Sequence, residues 1–397
     1  MTISARSVLW MQVWGVAGVH GAISLCWVIY GLYIPALLQS LGFPPEMVTH
    51  VLVIENLLSA LIEPVMGAVS DRWQRMIGTK MPLIMLGALL AAALFILVPV
   101  SLAWGIDRQV FVGIIVIWAM AMAVFRSPVL SLLAGLAIDS GLPQAMSVLT
   151  LVGGLVNALR FAVGKWILGL SAPVTFVIGS VALLSGVIIL RVLLGQHPAL
   201  VSISGAKPFL SWRRLGFLLI LGALMGWGGR ITLAEVLPRI LQLYLGDISL
   251  PMAGLFLVMS GGAIASVYLG NFWNHPHKAH GTVVIGLLAV VVSLWLLIFN
   301  FGAVWAFSIL LVLVLGFGAA TNGVIPLSLE FLPVGYGGLA IGTYFGGTGL
   351  AIALFNWWLT PQTGNLDLPA FLLMAQGTLA IAGIGCALTK SFRPSLS

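Results

Sequence analysis

Apolar segments follow one another along almost the whole chain, and only short polar breaks separate them. An apolar run of about 20 residues crosses the hydrocarbon core of a bilayer as one α-helix. These runs do not alternate apolar and polar residues as the strands of membrane barrels do, so helices are the spanning element that fits. Only 7% of the residues are charged, against about 25% in a typical soluble domain, which excludes a soluble core.

The breaks between the apolar runs predict twelve spanning helices in two six-helix bundles, an all-α membrane protein. Their predicted bounds are 13–38, 46–70, 81–104, 109–133, 143–167, 172–194, 213–241, 249–271, 281–300, 303–328, 336–359 and 367–389. The longest polar stretch, residues 195–212, is predicted to be a connector between an N-terminal bundle, 1–194, and a C-terminal bundle, 213–397.

An internal repeat supports this division into two pseudo-symmetric bundles. Gly67, Asp71 and Arg75 follow the second predicted helix, and at an offset of 203 residues Gly270, Asn274 and Lys278 follow the eighth. Pro35 and Pro238 match at the same offset. Parallel repeats of six helices are the architecture of transporters whose substrate site lies at the repeat interface.

The distribution of basic residues predicts the orientation. With the N-terminus inside, one face carries eleven of the 17 basic residues, the other face carries three, and Arg126, Arg160 and Arg230 lie within helices. The positive-inside rule therefore predicts a multi-pass protein of the cell (inner or plasma) membrane with both termini in the cytoplasm. The scattered basic residues do not predict nucleic-acid binding.

The stretch at 67–75, Gly-Ala-Val-Ser-Asp-Arg-Trp-Gln-Arg, resembles the loop 2–3 signature of the major facilitator superfamily. The resemblance implies a gate in which Gly67 allows close helix packing, Asp71 meets a helix end of the other bundle, and Arg72 and Arg75 hold the cytoplasmic side. Gln74 replaces the usual second glycine. An anionic group is stabilised near a helix N-terminus, and the eleventh helix offers one at Gly337 and Gly338.

A narrower likeness over residues 54–90 is to the sucrose–proton symporter branch of that superfamily. It rests on the Glu55-Asn56 pair, on Glu63-Pro64 before the gate motif, and on Gly-Thr-Lys-Met-Pro-Leu-Ile at 78–84. The branch resemblance adds Arg126 as a gate or coupling residue. Two departures are Gly135, where the branch has an acid, and Thr79-Lys80, where it has two arginines.

Ionisable groups inside the membrane are the candidate functional residues, because each costs about 2.5–3.5 kcal/mol at the bilayer centre. Glu55 and Glu235 are the predicted proton-coupling acids, since a low dielectric favours the neutral form of a carboxyl group. Arg160 and Arg230 are predicted as counter-ions or substrate ligands. A buried structural ion pair is the alternative for each of these groups.

The remaining predicted cavity residues are polar or aromatic groups on three helices. They are Trp27, Tyr30, Asn157, Thr343, Tyr344 and Asn356.

Two glycine-rich segments also carry predictions. Residues 335–349 predict close helix packing, and residues 226–229 predict a break or bend in the seventh helix next to Arg230.

The sequence therefore predicts a secondary transporter that works by alternating access, with protons and a small polar solute such as a sugar as its partners. Drug or metabolite efflux by the same fold, and a non-transporting role in membrane assembly or sensing, are the alternatives. Motifs of hydrolases and of phosphate loops are missing from the sequence, so it does not predict an enzyme or a pump. A monomer in the lipid bilayer without a cofactor is expected.

Overall fold

The computed structural model describes residues 8–137, 141–195, 210–272, 278–299 and 302–388. Within these ranges, twelve helices are long and apolar enough to cross a membrane, which confirms the predicted twelve-helix fold. We label them α1 (Trp10–Ser40), α2 (Glu46–Ile77), α3 (Met81–Ala103), α4 (Arg108–Leu136), α5 (Leu142–Ala162), α6 (Ala172–Gly195), α7 (Trp212–Leu245), α8 (Ser249–Phe272), α9 (Lys278–Leu297), α10 (Ala303–Phe331), α11 (Gly337–Gln362) and α12 (Leu368–Leu388).

Large apolar side chains are exposed on the outside of the helix assembly. Leu61, Leu250 and Val304 are 69–79% exposed, although apolar patches of this kind are rare on soluble monomers. A bilayer covers such a surface without cost, because lipid chains are as apolar as these side chains.

Two hydrophobic cores hold the molecule together. The first is formed mainly by residues of α1–α6, and the second by residues of α7–α12. The halves meet chiefly where α2 packs on α11 and where α5 packs on α8 and α10. The predicted bundle boundaries stay a prediction, because residues 196–209 of the connector lie outside the described residues, as does Asn274 of the repeat.

The second helix is longer than predicted, and this changes the setting of the gate motif. Helix α2 continues from the predicted end at residue 70 to Ile77 and stops at Gly78, whose φ of 80° lies in the left-handed region. Glycine adopts this conformation without a steric penalty and commonly ends helices. Asp71, Arg72 and Arg75 therefore project from the last turns of a helix and not from a loop.

The seventh helix departs from the prediction in another way. The predicted break at residues 226–229 does not occur, because α7 is regular to Ile231 and then widens into a π-helical segment, Thr232–Val236. The glycines serve packing: a Cβ on Gly226 would lie 3.0 Å from the Cα of Thr348, and one on Gly229 would lie 2.9 Å from the ring of Phe317. The fifth helix is also shorter than predicted, since it ends at Ala162.

Candidate functional site

Asp71 joins the two halves at the N-terminus of α11. Its carboxylate oxygens accept hydrogen bonds from the backbone amides of Gly338 and Leu339, both at 2.9 Å. These amides belong to the first turn of α11, where N–H groups have no partner within the helix. A carboxylate there also interacts favourably with the helix dipole, by about 0.3–1 kcal/mol. We call the end of the molecule where this contact lies the gate end.

Lys80 completes the contact from the short connection between α2 and α3. Its ammonium group lies 2.6 Å from a carboxylate oxygen of Asp71 and donates a second hydrogen bond, at 2.6 Å, to the hydroxyl of Ser131 on α4. Burial lowers the pKa of the Lys80 ammonium, and the neighbouring Asp71 carboxylate opposes that shift. One buried carboxylate is thus shared between a lysine of its own half and the helix end of the other half.

The two arginines of the gate motif differ in their surroundings. Arg75 donates a hydrogen bond of 2.9 Å to the carbonyl oxygen of Gly335, and its guanidinium lies 5.2 Å from the ring centroid of Tyr336. It therefore reaches across to the segment that precedes α11. Arg72 is exposed.

A row of glycines brings α2 and α11 into backbone contact, which confirms the packing interpretation of the glycine-rich segment. A Cβ on Gly67 would clash with the carbonyl of Gly338, and one on Gly342 would clash with the carbonyl of Glu63. The series continues one turn further, where a Cβ on Gly346 would lie 2.8 Å from the carbonyl oxygen of Ala60. Glycines spaced four apart lie on one helix face and allow backbones to approach closely.

Glu63 and Arg126 form a buried ion pair behind the gate. Glu63 is fully buried and also accepts a hydrogen bond of 3.1 Å from Ser59. The guanidinium of Arg126 lies 4.5 Å from the ring centroid of Phe345 on α11. His20 on α1 lies within electrostatic range of Arg126. The pair links α2 to α4 and places a positive charge on the face of α11.

Glu55 lies on α2, two turns before Glu63. Its side chain meets an aromatic cluster formed by residues of α1 and α4. Its carboxylate accepts a hydrogen bond from the hydroxyl of Tyr30 on α1. The Tyr30 ring stacks on Trp118, with ring centroids 4.7 Å apart, and Trp27 lies edge-on to Tyr30 at 5.5 Å. Tyr30 and Glu55 are each 3% exposed, and Trp118 is completely buried.

Three polar atoms of this cluster have no hydrogen-bond partner in the described part of the chain. They are one carboxylate oxygen of Glu55 and the indole nitrogens of Trp27 and Trp118. Buried polar groups usually have partners, and unsatisfied ones need an explanation. A carboxyl group with one free oxygen is able to hold a proton there without breaking its bond from Tyr30.

Several predicted cavity residues are packed between helices and do not line an open space in this conformation. Tyr30 is enclosed in the aromatic cluster, and Thr343, Tyr344 and Asn356 are at most 9% exposed. The hydroxyl of Thr343 bonds to the carbonyl of Leu339 at 2.7 Å. Tyr344 packs in the second hydrophobic core, so the predicted polar stripe of α11 is enclosed in this conformation and its cavity role stays a prediction.

Asn157 and Trp27 are half-buried, so their side chains are more accessible than those of the other predicted cavity residues. The amide of Asn157 donates a hydrogen bond of 2.8 Å to the carbonyl of Gly153, one turn earlier on α5. This bond fixes the side chain against its own helix. The Asn157 side-chain oxygen is not used by that bond.

Two arginines from opposite halves are exposed. Arg160 ends α5 beside α1, where a Cβ on Gly31 would lie 3.5 Å from its guanidinium. Arg230 on α7 lies over the ring of Phe355 on α11, 5.4 Å from the ring centroid. Arg160 and Arg230 are within electrostatic range of each other.

Glu235, the second predicted proton-coupling acid, is paired with Arg239 at 3.2 Å, four residues further along α7. Arg239 also donates to the carbonyl oxygens of Thr363 and Leu366 and lies 4.5 Å from the ring centroid of Phe371. Helical spacing predicts such a pair. These contacts tie α7 to the connection between α11 and α12.

The sequence interpretation missed two members of the gate contact, Lys80 and Ser131. The short spacing from Asp71 to Lys80 could have predicted their contact. Gly78 ends α2, and the chain then turns back toward Asp71. Ser131 carries no such signal, since only the tertiary packing of α4 brings it to Lys80.

The described residues form no metal centre, and one apolar cavity lies away from these groups. In the described ranges, no three His, Cys, Asp or Glu side chains lie close enough to hold a metal ion. A cavity of about 190 Å³ lies elsewhere in the C-terminal half, between α7, α9, α10 and α12, and its lining is mostly apolar.

This chain shares its fold with solved structures of a transporter and of a transporter homologue. The human organic anion transporter MFSD10 (TETRAN) superposes with a TM-score of 0.72 at 16% identity, covering 96% of this chain and 100% of that one. A bacterial homologue of the iron transporter ferroportin in its outward-facing state gives 0.70 at 13% identity, covering 96% and 99%. The same homologue with soaked iron gives 0.71 at 14%, covering 97% and 100%.

Sequence comparison gives a consistent result. A search of curated proteins finds no significant match to this chain. The family described as Major Facilitator Superfamily matches residues 16–356, most of the chain. This multi-pass membrane protein belongs to the Major Facilitator Superfamily.

Proposed function

We propose that this protein is a proton-coupled secondary transporter that moves a small polar solute by alternating access. The observation that carries the proposal is the Asp71 contact, which joins the halves through hydrogen bonds from Gly338 and Leu339 and is balanced by an ion pair with Lys80 of its own half. Such a contact is strong enough to hold the gate end closed and weak enough to break during a transport cycle. Halves with separate cores are able to rock as units about the interface.

Glu55 is the proposed proton site. It is a buried acid between α1 and α2, with one oxygen bound to Tyr30 and the other without a partner. Protonation removes the charge of the Glu55 carboxylate and adds a hydrogen-bond donor to it. The hydrogen bonds that Glu55 and Tyr30 make with their neighbours therefore change. A group whose charge depends on the proton biases the equilibrium between two conformations when its surroundings differ between them.

The complete gate contact favours transport over a non-transporting role. Gln74 departs from the superfamily signature, and that departure, together with Gly135 in place of an acid, motivated the alternative of an assembly or sensor protein. Gln74 is not needed for the hydrogen bonds of Asp71 to Gly338 and Leu339, nor for the pair with Lys80. Import and export stay equally compatible with this contact.

The resemblance to the sucrose–proton symporter branch makes a sugar the first solute class to test. We also propose, from the positive-inside rule, that both termini are cytoplasmic and the gate end faces the cytoplasm. The cell membrane is the proposed location, and a monomer is the proposed active form.

The test is uptake of labelled sucrose and maltose into proteoliposomes under an imposed proton gradient. Accumulation above the external concentration, abolished by a protonophore, is the expected result for a sugar–proton symporter. Equilibration without accumulation contradicts proton coupling. No entry of either sugar, with protein shown to be folded by its thermal unfolding, contradicts the sugar assignment.

A further inference from the structure

Asn322 on α10 is a completely buried amide whose hydrogen bonds cross between the two halves. Its side-chain nitrogen donates to the carbonyl oxygen of Pro143 on α5 at 3.3 Å and to the hydroxyl of Ser266 on α8 at 3.1 Å. Its side-chain oxygen accepts a hydrogen bond of 3.4 Å from the hydroxyl of Thr150, also on α5. An amide has two donor hydrogens and an acceptor oxygen, so Asn322 is anchored in its own half by one bond and reaches the other half by two.

These bonds lie on the gate-end side of the molecule. Pro143 is in the first turn of α5, which follows the end of α4 that contacts Lys80. Helix α10 ends at Phe331, just before the α11 N-terminus that binds Asp71. The halves therefore meet at the gate end in two places that use different helices, α2 with α11 and α5 with α8 and α10.

Glycines fit α8 closely against both of its neighbours. A Cβ on Gly318 of α10 would clash with the carbonyl of Met259, and one on Gly154 of α5 would clash with the side chain of Ser260. The first contact lies within the C-terminal half, and the second lies between the halves. Residues of α8 and α10 also share the second hydrophobic core, so we expect these two helices to move as one unit when α5 separates from them.

The Asn322 contact is suited to repeated opening because it contains no charge. A hydrogen bond between neutral groups is weaker than one that involves an ionised group. When α5 separates from α10, water replaces Pro143 and Thr150 as the partners of the amide, whereas a charge left without a partner would be costly. The bond to Ser266 stays in place, so the side chain keeps its orientation and the contact forms again when the gate end closes.

We propose that Asn322 is a second latch of the gate end, a positioning residue that binds α5 in the closed conformation and exchanges these bonds for water in the open one. The inference rests on the proposed alternating-access function and adds a residue to its gate. The Asp71 and Asn322 contacts share no partner, so their effects on the closed population should multiply.

The population of the closed conformation tests the inference directly. Spin labels at Met76→Cys of the N-terminal half and Val334→Cys of the C-terminal half report the width of the gate end, since both positions are exposed. Asn322→Ala removes both bonds to α5, and we expect the ratio of closed to open molecules to fall about tenfold. Its combination with Asp71→Asn should show the product of the two single effects. A distance distribution in Asn322→Ala that matches the unsubstituted protein overturns the proposal.

Two further variants separate a latch from general packing. Ser328→Ala is the matched control, because Ser328 is also completely buried on α10 and its hydroxyl bonds to the carbonyl of Val324 on its own helix at 2.8 Å. It should leave the distances unchanged. Thr150→Val keeps the side-chain volume and removes one bond to Asn322, so it should shift the population in the same direction by about threefold, even if Asn322→Ala fails to fold. An equal shift in Ser328→Ala, or none in Thr150→Val, overturns the proposal.

Failure of the latch and failure of the proposed function give different results. Proton-driven accumulation of sugar, together with unchanged distances in Asn322→Ala, contradicts the latch and keeps the transport function. A shift toward the open distance in Asn322→Ala, together with sugar uptake that only equilibrates under the proton gradient, keeps the latch and contradicts proton coupling.

Discussion

Asp71 and Gly338 are 267 residues apart in the sequence, and the carboxylate of one accepts a hydrogen bond of 2.9 Å from the amide of the other. The bond connects the last turns of α2 to the first turn of α11, so it connects the two halves. Lys80 balances the charge of the same carboxylate. The closed gate end therefore depends on an anion that is shared by a lysine and a helix N-terminus.

Replacing this anion by a neutral amide should open the gate end. Asp71→Asn removes the charge that stabilises the start of α11 and leaves Lys80 buried without its counter-ion. We expect the closed conformation to lose about 1.4 kcal/mol, a tenfold change in population, with slower transport and unchanged solute affinity. Transport kinetics of the variant in proteoliposomes measure both quantities.

Asp367→Asn is the matched control for that experiment. Asp367 is exposed and accepts a hydrogen bond of 3.0 Å from the amide of Ala370 at the start of α12, so it caps a helix within one half only. It should leave the transport rate unchanged. A normal rate in the Asp71 variant would show that the contact is not a gate.

The glycine contact between α2 and α11 predicts a steric effect. A methyl group at position 67 meets the backbone carbonyl of Gly338, which cannot move without shifting the helix. Gly67→Ala should destabilise the closed gate end by about 1–3 kcal/mol, as overpacking usually does. Gly113→Ala on α4 is the control, because nothing lies within 4 Å of its Cβ position. Thermal unfolding and reactivity of a cysteine at the gate end measure the difference, and equal behaviour of the two variants would disprove close packing there.

The Glu63–Arg126 pair predicts a non-additive result. Removing one partner leaves a charge buried without compensation, which costs about 3–5 kcal/mol in comparable pairs. We expect Glu63→Gln and Arg126→Gln each to lower the unfolding midpoint strongly, and the double variant to recover part of the loss. A double-mutant cycle by thermal unfolding measures the coupling. Additive effects would mean that the two side chains act independently.

Glu55→Gln tests proton coupling. The amide retains the shape of the side chain and a partner for Tyr30, but it cannot exchange a proton. Accumulation against a gradient should disappear, while exchange of labelled for unlabelled solute continues. Glu46→Gln, on the exposed first turn of the same helix, is the control. Normal accumulation in the Glu55 variant would assign coupling to another group.

The helices were predictable because the bilayer imposes a length on each apolar run, and the bounds of α3, α6 and α8 agree with the prediction to within one residue. The end of α2 was not predicted, because polar residues near a helix end resemble a loop. The prediction placed the irregularity of α7 at residues 226–229, whereas the structure has it at Thr232–Val236. Glycines in a membrane helix serve close packing as well as bending.

The candidate site was predictable only in part. Single charges in apolar segments made Glu55, Arg160 and Arg230 candidates, since each is costly inside a membrane. Their partners depend on tertiary contacts, so neither the stacking of Trp118 on Tyr30 nor the enclosure of Tyr344 and Asn356 was visible in the sequence.

The most direct test of alternating access is the distance across the gate end. Spin labels at Met76→Cys and Val334→Cys report it, because these positions are 69% and 82% exposed, whereas the native Cys26 and Cys386 are buried. Pulsed electron paramagnetic resonance in lipid nanodiscs should show two distances between the labels. The shorter distance corresponds to the closed gate end, and the population of the longer one should grow in the Asp71→Asn background. A single unchanged distance in both backgrounds, at high and low pH, would contradict alternating access.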